Sequence, residues 1–333
     1  MWAIAAGTLI ALLTTSCTNK KANAAPEIAD TQATRTSAKP EISTRTPSNE
    51  VQTTRQPAAE ERPSARDPSS FSAQLSFANV ADTGFTDQPG EFGYSRTGLE
   101  LELPFLDVAY QRYDFSWSDA QSLDFSDGSG EPWSELQSLS LSTNQFVPLR
   151  ENLGMMFGIG ATMGWEDDTS DAISYDAAVG LMWQKSATFQ LFAGVAYNWH
   201  PKVDLRFDLF PMLGLSWNEH ATKGWSAAFG FPNTELRYAF NETSSLALAL
   251  NGDGGLFRRA DRAPAIEGGF VEWTRFGAGL SYRHHLTRRW AFVADVNYGF
   301  ENEWRFYDAD GHHFSTEDAD ESFGFNLSFS VDF

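Results

Sequence analysis

Ser322-Phe323-Gly324-Phe325-Asn326-Leu327-Ser328-Phe329-Ser330-Val331-Asp332-Phe333 closes the chain in strict alternation. Phe323, Phe325, Leu327, Phe329, Val331 and Phe333 fall on one side, and the residues between them are small or polar. Side chains of a β-strand point to opposite faces with period two, so this segment is a strand with one greasy and one wet face. The same split recurs upstream. It runs through Leu153 to Trp165, Ile173 to Trp183, Phe189 to Trp199 and Trp290 to Phe300.

A soluble antiparallel sandwich also alternates, so the pattern alone does not say which solvent lies on each side. Three features point to lipid. The apolar faces often begin or end in Trp or Tyr, as girdles at two membrane interfaces require. The opposite faces carry Gly, Ser, Asn and charge, which need water. No run reaches the length of a transmembrane helix, and in hydrocarbon a closed barrel then satisfies every backbone group. The expected fold is all-β, an antiparallel transmembrane barrel over 71–333.

Strands are expected at 71–79, 95–103, 106–117, 133–145, 151–165, 173–184, 188–199, 203–217, 225–231, 235–240, 245–251, 269–284, 289–304 and 321–333. That makes about fourteen, an even number that puts both ends on one side. Fusing 95–117 and 225–240 would give twelve, against which stand Pro104 and Pro232, since proline is disfavoured inside a paired strand. With the first strand starting in the periplasm, the long connections (80–94, 118–132, 252–268, 305–320) face outward. The short turns face the periplasm.

Composition narrows the function classes. The 333 residues carry 24 Lys+Arg against 44 Asp+Glu, a formal charge of −20, with the acidic excess in 71–333. No basic stripe offsets it, so nucleic acid is not an expected partner. Of the 27 Phe, 11 Trp and 9 Tyr, only Trp2 precedes Phe71, so the first 70 residues cannot build a core. Ala3 to Leu13 has the length of a signal-peptide h-region. Two processing sites compete: lipoprotein-type cleavage before Cys17, which would lipidate it, and ordinary cleavage after Ala22-Asn23-Ala24. Residues 1–24 thus read as a signal peptide. Residues 25–70, rich in Thr, Ser, Ala and Pro, read as a disordered periplasmic tether.

The C-terminal segment resembles the signal recognised by the outer-membrane barrel-assembly machinery, carried by Phe325, Leu327, Phe329, Val331 and Phe333. Over 95–333 the chain also resembles an uncharacterised family of bacterial outer-membrane β-barrel proteins. The matching elements are Phe210-Pro211-Met212-Leu213-Gly214-Leu215 and Gly230-Phe231-Pro232 followed by Glu235-Leu236-Arg237-Tyr238. The resemblance implies the fold and the cell outer membrane, with lipid, lipopolysaccharide and the assembly machinery as partners. It implies no catalytic residue, and the oligomeric state stays open.

Candidate chemistry lies in the charges. Glu100, Glu102, Asp114, Asp176, Asp204, Arg206, Asp208, Glu235, Arg237, Arg283, Asp295 and Glu301 are expected to face the lumen. Asp204, Arg206 and Asp208 on one strand, with Asp176, Arg237 and Asp295, would line a water-filled, cation-preferring pore, because carboxylate rings lower the barrier for cations. The alternative is that these charges pair across strands and plug a structural or anchoring barrel. Acidic loop residues (Asp124, Asp127 and Glu131; Glu166 to Asp171; Asp308 to Glu321) read as a solvated rim, with Asp308-Ala309-Asp310-Gly311 only the start of a calcium loop. His200 near Asp204 and Asp208 is the one candidate for membrane-edge hydrolysis, but no nucleophile or metal motif supports an enzyme, and no cofactor is expected.

Overall fold

The computed structural model describes residues 71–123, 125, 131–205, 208–231, 233–261 and 266–333. The signal segment, Cys17, the tether, and Asp124, Asp127, Arg206 and Pro232 lie outside the described residues.

The chain runs as β1 (Ser72–Gly84), β2 (Glu91–Glu102), β3 (Asp107–Ser118), β4 (Glu135–Arg150), β5 (Leu153–Trp165), β6 (Ile173–Ser186), β7 (Phe189–Trp199) and β8 (Leu209–Trp217). It continues as β9 (Gly224–Gly230), β10 (Thr234–Ala239), β11 (Ser244–Arg258), β12 (Phe270–His285), β13 (Trp290–Tyr307), β14 (His313–Asp318) and β15 (Ser322–Asp332). Consecutive strands pair antiparallel from β1 to β13; β15 then pairs with both β13 and β1, closing a ring. Fourteen strands form the wall. β14 stands outside it, a flap on the upper end of β13. Separate β2 and β3, and separate β9 and β10, dispose of the twelve-strand count.

Termini and short turns share one end: Phe333 N–H donates to the Phe71 carbonyl and the two rings stack at 4.1 Å. The connections there span 103–106, 151–152, 187–188, 218–223, 240–243 and 286–289, while the other end carries 119–134, 200–208 and 259–269. Short periplasmic turns and longer outer loops orient the barrel. Outward positions at mid-height are apolar and open, as at Leu213 (64 % exposed), Val296 (59 %) and Phe323 (67 %). Trp183, Trp217, Trp225 and Trp290 ring the periplasmic edge, and Tyr175, Tyr197 and Trp199 the outer edge. A hydrocarbon belt between aromatic girdles follows from the alternation itself.

The wall is uneven in height. β9 and β10 are short, whereas β4, β11, β12 and β13 rise well past them. Above the low strands the tall ones meet each other, for Arg258 of β11 pairs in parallel with Trp165 of β5, and Glu166 N–H donates to the Arg258 carbonyl. Gly164 makes this approach possible, because a Cβ there would lie 2.1 Å from the Leu256 carbonyl oxygen. Backbone cannot give way as a side chain can, so Gly164→Ala should cost about 1–3 kcal/mol. Loss of the folded gel band at lower temperature is expected; an unchanged transition would show that β5 and β11 do not meet.

At this crossing the tall strands reverse their polarity. Along β2 the inward residues are Phe92 and Tyr94 above Arg96 but Gly98, Glu100 and Glu102 below it; outward, Ser95 and Thr97 give way to Leu99 and Leu101. β3 does the same, with Tyr113, Phe115 and Trp117 inward beside outward Arg112, Asp114 and Ser116. In β12 and β13, Trp273 and Trp304 point in while Thr274, Glu303 and Arg305 point out. Water outside and a dry interior are the pattern of a soluble domain. The outer part of the molecule is therefore a small apolar-cored barrel standing on a membrane barrel. Its reversed pattern explains why the strands extend past their expected ends, shrinking the loops expected at 80–94 and 252–268.

Candidate functional site

The interior falls into three levels. The outermost is a plug of buried apolar side chains, among them Phe85, Phe92, Tyr94, Tyr113, Phe125, Trp133, Leu136, Phe257, Trp273, Trp304 and Phe306. Trp304 stacks on Trp273 at 5.4 Å and meets Trp133 at 5.4 Å and the edge of Phe92 at 5.3 Å. Aromatic pairs at these spacings add to what their buried area contributes.

Arg259 ties the plug to the loops above it. Its side chain is almost wholly buried, its Nε donates to Glu166 Oε2 at 2.8 Å, and its guanidinium lies 4.6 Å over the Trp133 ring. A second bond runs from Arg259 to the Pro132 carbonyl, and Glu166 Oε2 also accepts from Ala260 N–H. One arginine thus joins the 119–134, 166–172 and 259–269 connections.

Directly beneath the plug lies a polar level absent from the sequence reading. Arg96 on β2 reaches across the interior to Asp253 on β11, with NH1 to Oδ2 at 2.8 Å, and both side chains keep about a quarter of their surface open (22 % and 27 %). Arg275 on β12 donates to Asn297 Oδ1 at 2.9 Å. The signal that could have located this level is the polarity reversal, since Arg96 and Arg275 are the last inward residues before the inward faces turn aromatic.

The third level is the lumen proper, and its two walls differ. β1, β2, β12, β13 and β15 present Gln74, Glu100, Ser281, Asp295, Asn297 and Asn326, with Asn326 Nδ2 donating to Asp295 Oδ2 at 2.7 Å. β5 to β8 instead present Met156, Met182, Phe192, Phe210 and Met212, contrary to the expected polar inner face. Large inward side chains lie along the wall rather than across the lumen. A Cβ at Gly180 would strike Phe192, one at Gly154 would strike Phe146, and one at Gly160 would strike Asp176.

Of the expected lumen charges, Asp176, Glu235, Arg237, Arg283 and Asp295 hold inward register positions. Arg237 Nε donates to Ser226 Oγ at 3.1 Å. Asp204 and Asp208 do not form the expected strand face: β8 begins only at Leu209, and both are exposed in the 200–208 connection. Asp114 points outward above the belt, paired with Arg112 at 2.8 Å, because the polarity has already reversed there. Glu301 also leaves the lumen. A bulge at Phe300 shifts the register, so Glu301 opposes outward Phe276.

His200 serves the loop rather than chemistry. Buried to 3 % exposure, its Nε2 meets the Asp171 carbonyl at 2.9 Å, while Nδ1 accepts from Val203 N–H at 2.9 Å and Lys202 N–H at 3.2 Å. Only a neutral imidazole with its proton on Nε2 can make all three bonds. Burial pushes the His200 pKa down from its ordinary 6.5, the Asp171 carbonyl and carboxylate opposing this and the Lys202 ammonium reinforcing it. A lowered folded pKa means the unfolded loop binds the extra proton, so this stabilisation is complete above pH ~6.5 and is lost as pH falls further. The protection of the Lys202 and Val203 amides from exchange, relative to the intrinsic rate at each pH, should therefore be lower at pH 5 than at pH 7.5. In His200→Asn this difference should vanish, and its persistence would place the pH sensitivity elsewhere.

Asp308 Oδ1 accepts from the backbone of Asp310 and His312, closing a turn, and among the described residues no three potential ligands gather around a metal position.

No family model matches the chain, and no curated protein matches it. Solved structures do. A NanC porin is 10 % identical over 77 % of this chain and 98 % of its own, with a TM-score of 0.37. An outer-membrane channel from Pseudomonas putida F1 is 10 % identical over 79 % and 94 %, at 0.38. The outer membrane protease OmpT from Escherichia coli is 8 % identical over 80 % and 97 %, at 0.25. Scores this low carry no inference about solute or activity, and what decides the location is the chain's own closed ladder with its apolar belt. The molecule is an outer-membrane β-barrel.

Proposed function

We propose that this barrel is a channel for small solutes, closed at its outer end by the aromatic plug in the conformation described. The wall-hugging arrangement carries the reading. A barrel built only to anchor would gain by filling its interior, yet Phe192, Phe146 and Asp176 lie back over glycines of neighbouring strands. The plug and the Arg96–Asp253 bridge support the other reading, a structural barrel. Planar-bilayer recording separates them: little conductance is expected from the folded wild type and frequent steps from Trp304→Ala. A folded variant that stays silent would promote the structural barrel. Asp204 and Asp208 precede β8 in the 200–208 connection, so they do not supply the charged strand face that a cation-preferring wall needs.

We also propose that β15 is the segment read during assembly. Phe325, Leu327, Phe329, Val331 and Phe333 all lie on its outward face, and Phe329 packs on Phe292 at 5.0 Å. Phe329→Ala with Phe333→Ala should leave little folded barrel in the membrane. Normal levels would remove this role.

A further inference from the structure

Beneath the plug, two guanidiniums face one carboxylate. Asp253 is engaged by Arg96, and its Oδ1 also accepts from Gly254 N–H at 2.9 Å. Arg275, beside Asp253 in the β11–β12 register, has two neutral partners, Asn297 Oδ1 and the Tyr94 side chain. The next inward carboxylates, Glu100 on β2 and Asp295 on β13, stand further toward the periplasmic end, and Asp295 already accepts from Asn326.

Two donors at this level lack an acceptor. Arg275 is 8 % exposed and its Nε has no partner; Ser322 is 2 % exposed and its Oγ has none. Arg275 lies back over Gly299 on the inner wall beside Ser322, since a Cβ at Gly299 would come within 2.4 Å of Arg275 Nε and 2.8 Å of Ser322 Oγ. Buried donors without an acceptor are costly, and a guanidinium presents paired N–H groups that match a carboxylate. Around them stand Tyr94, Tyr113 and Trp273, and the wall of β5 to β8 sets Phe192, Phe210 and Met212 beside Asp176 and Asn198. Arg96 and Asp253 leave about a quarter of their side-chain surface uncovered by protein at this level.

We propose that Arg275, with Arg96 beside it, binds the carboxylate of a small acidic solute with an apolar or aromatic body. The carboxylate takes the unpartnered Nε–H of Arg275 and displaces its neutral partner Asn297, and the body rests against the tyrosine and tryptophan rings. This names a solute class for the channel but is tested by binding, so its failure and the failure of conduction are separate results.

The probe is benzoate, titrated calorimetrically into the full-length protein folded in detergent. Neutral benzamide and cationic benzylammonium have nearly the same shape. Saturable benzoate binding is expected, with neither analogue binding. Arg275→Gln should weaken benzoate by about tenfold or more, the scale of a lost charge-assisted pair. Arg237→Gln, which removes an inward arginine elsewhere, should leave binding unchanged. Asp253→Asn supplies a test that misfolding cannot imitate: freeing Arg96 should tighten benzoate several-fold. The proposal is overturned if wild type takes up no benzoate, if benzamide binds equally well, or if Asp253→Asn binds more weakly while still folded. Tighter binding of inorganic phosphate at the same site would overturn the carboxylate assignment.

Discussion

Trp304→Ala is expected to turn a nearly silent barrel into a conducting one and to lower its stability by about 3–5 kcal/mol, the range for truncating a fully buried large aromatic side chain. The size of the effect follows from position. Trp304 is wholly buried, stacks on Trp273, and touches Trp133, Phe92 and Phe115, so it joins residues from four strands and one loop. Removing it leaves a cavity on the axis of the plug, immediately above the level of Arg96 and Asp253. The loss should appear as a lower temperature for disappearance of the folded gel band, and the opening as conductance steps in planar bilayers. Phe306→Ala, at the outer margin against Phe125 at 4.5 Å, should destabilise comparably but conduct less, since it leaves the axial stack intact. Equal conductance from both variants would mean that general loosening, not the axial position, opens the path.

Arg259→Met should be nearly as damaging, on the order of 3 kcal/mol, because it breaks a buried pair from one side. The methionine keeps much of the bulk over Trp133 but leaves Glu166 with only the Ala260 N–H, and removes the bond to Pro132. Glu166 keeps 18 % of its side-chain surface, so partial hydration holds the cost to this level rather than to that of a sealed charge. Three connections are released together. Protease cleavage within 119–134 should therefore accelerate at temperatures where the membrane-embedded strands stay folded. The double variant Glu166→Leu with Arg259→Met should recover part of the loss, since removing both charges leaves none stranded. A double variant worse than either single one would show that the pair is more than a closed ion pair.

The membrane part of this protein is written plainly in its chain. Lipid must meet apolar side chains wherever the wall crosses it, so period two with greasy residues such as Leu213, Val296 and Phe323 on one side is compulsory there, and fourteen strands could be counted from it. That obligation ends above the belt. A single parity carried through the polarity reversal and the bulge puts Asp114 and Glu301 inward, where the fold turns them outward, and a β8 extended back to 203 puts Asp204 and Asp208 on a strand where the chain forms a connection.

Local alternation by itself determined the barrel, its strand number, its girdles and the end at which its termini meet, because each depends only on neighbours along the strand. What fills the barrel depends on residues far apart in sequence. The meeting of Arg258 with Trp165, the reach of Arg96 to Asp253 and the packing of Trp133 on Trp304 each join segments about a hundred residues apart, or many more. Such contacts leave no period in the chain. They arise once the ring has closed and the uneven heights of its strands decide which side chains face each other across the interior.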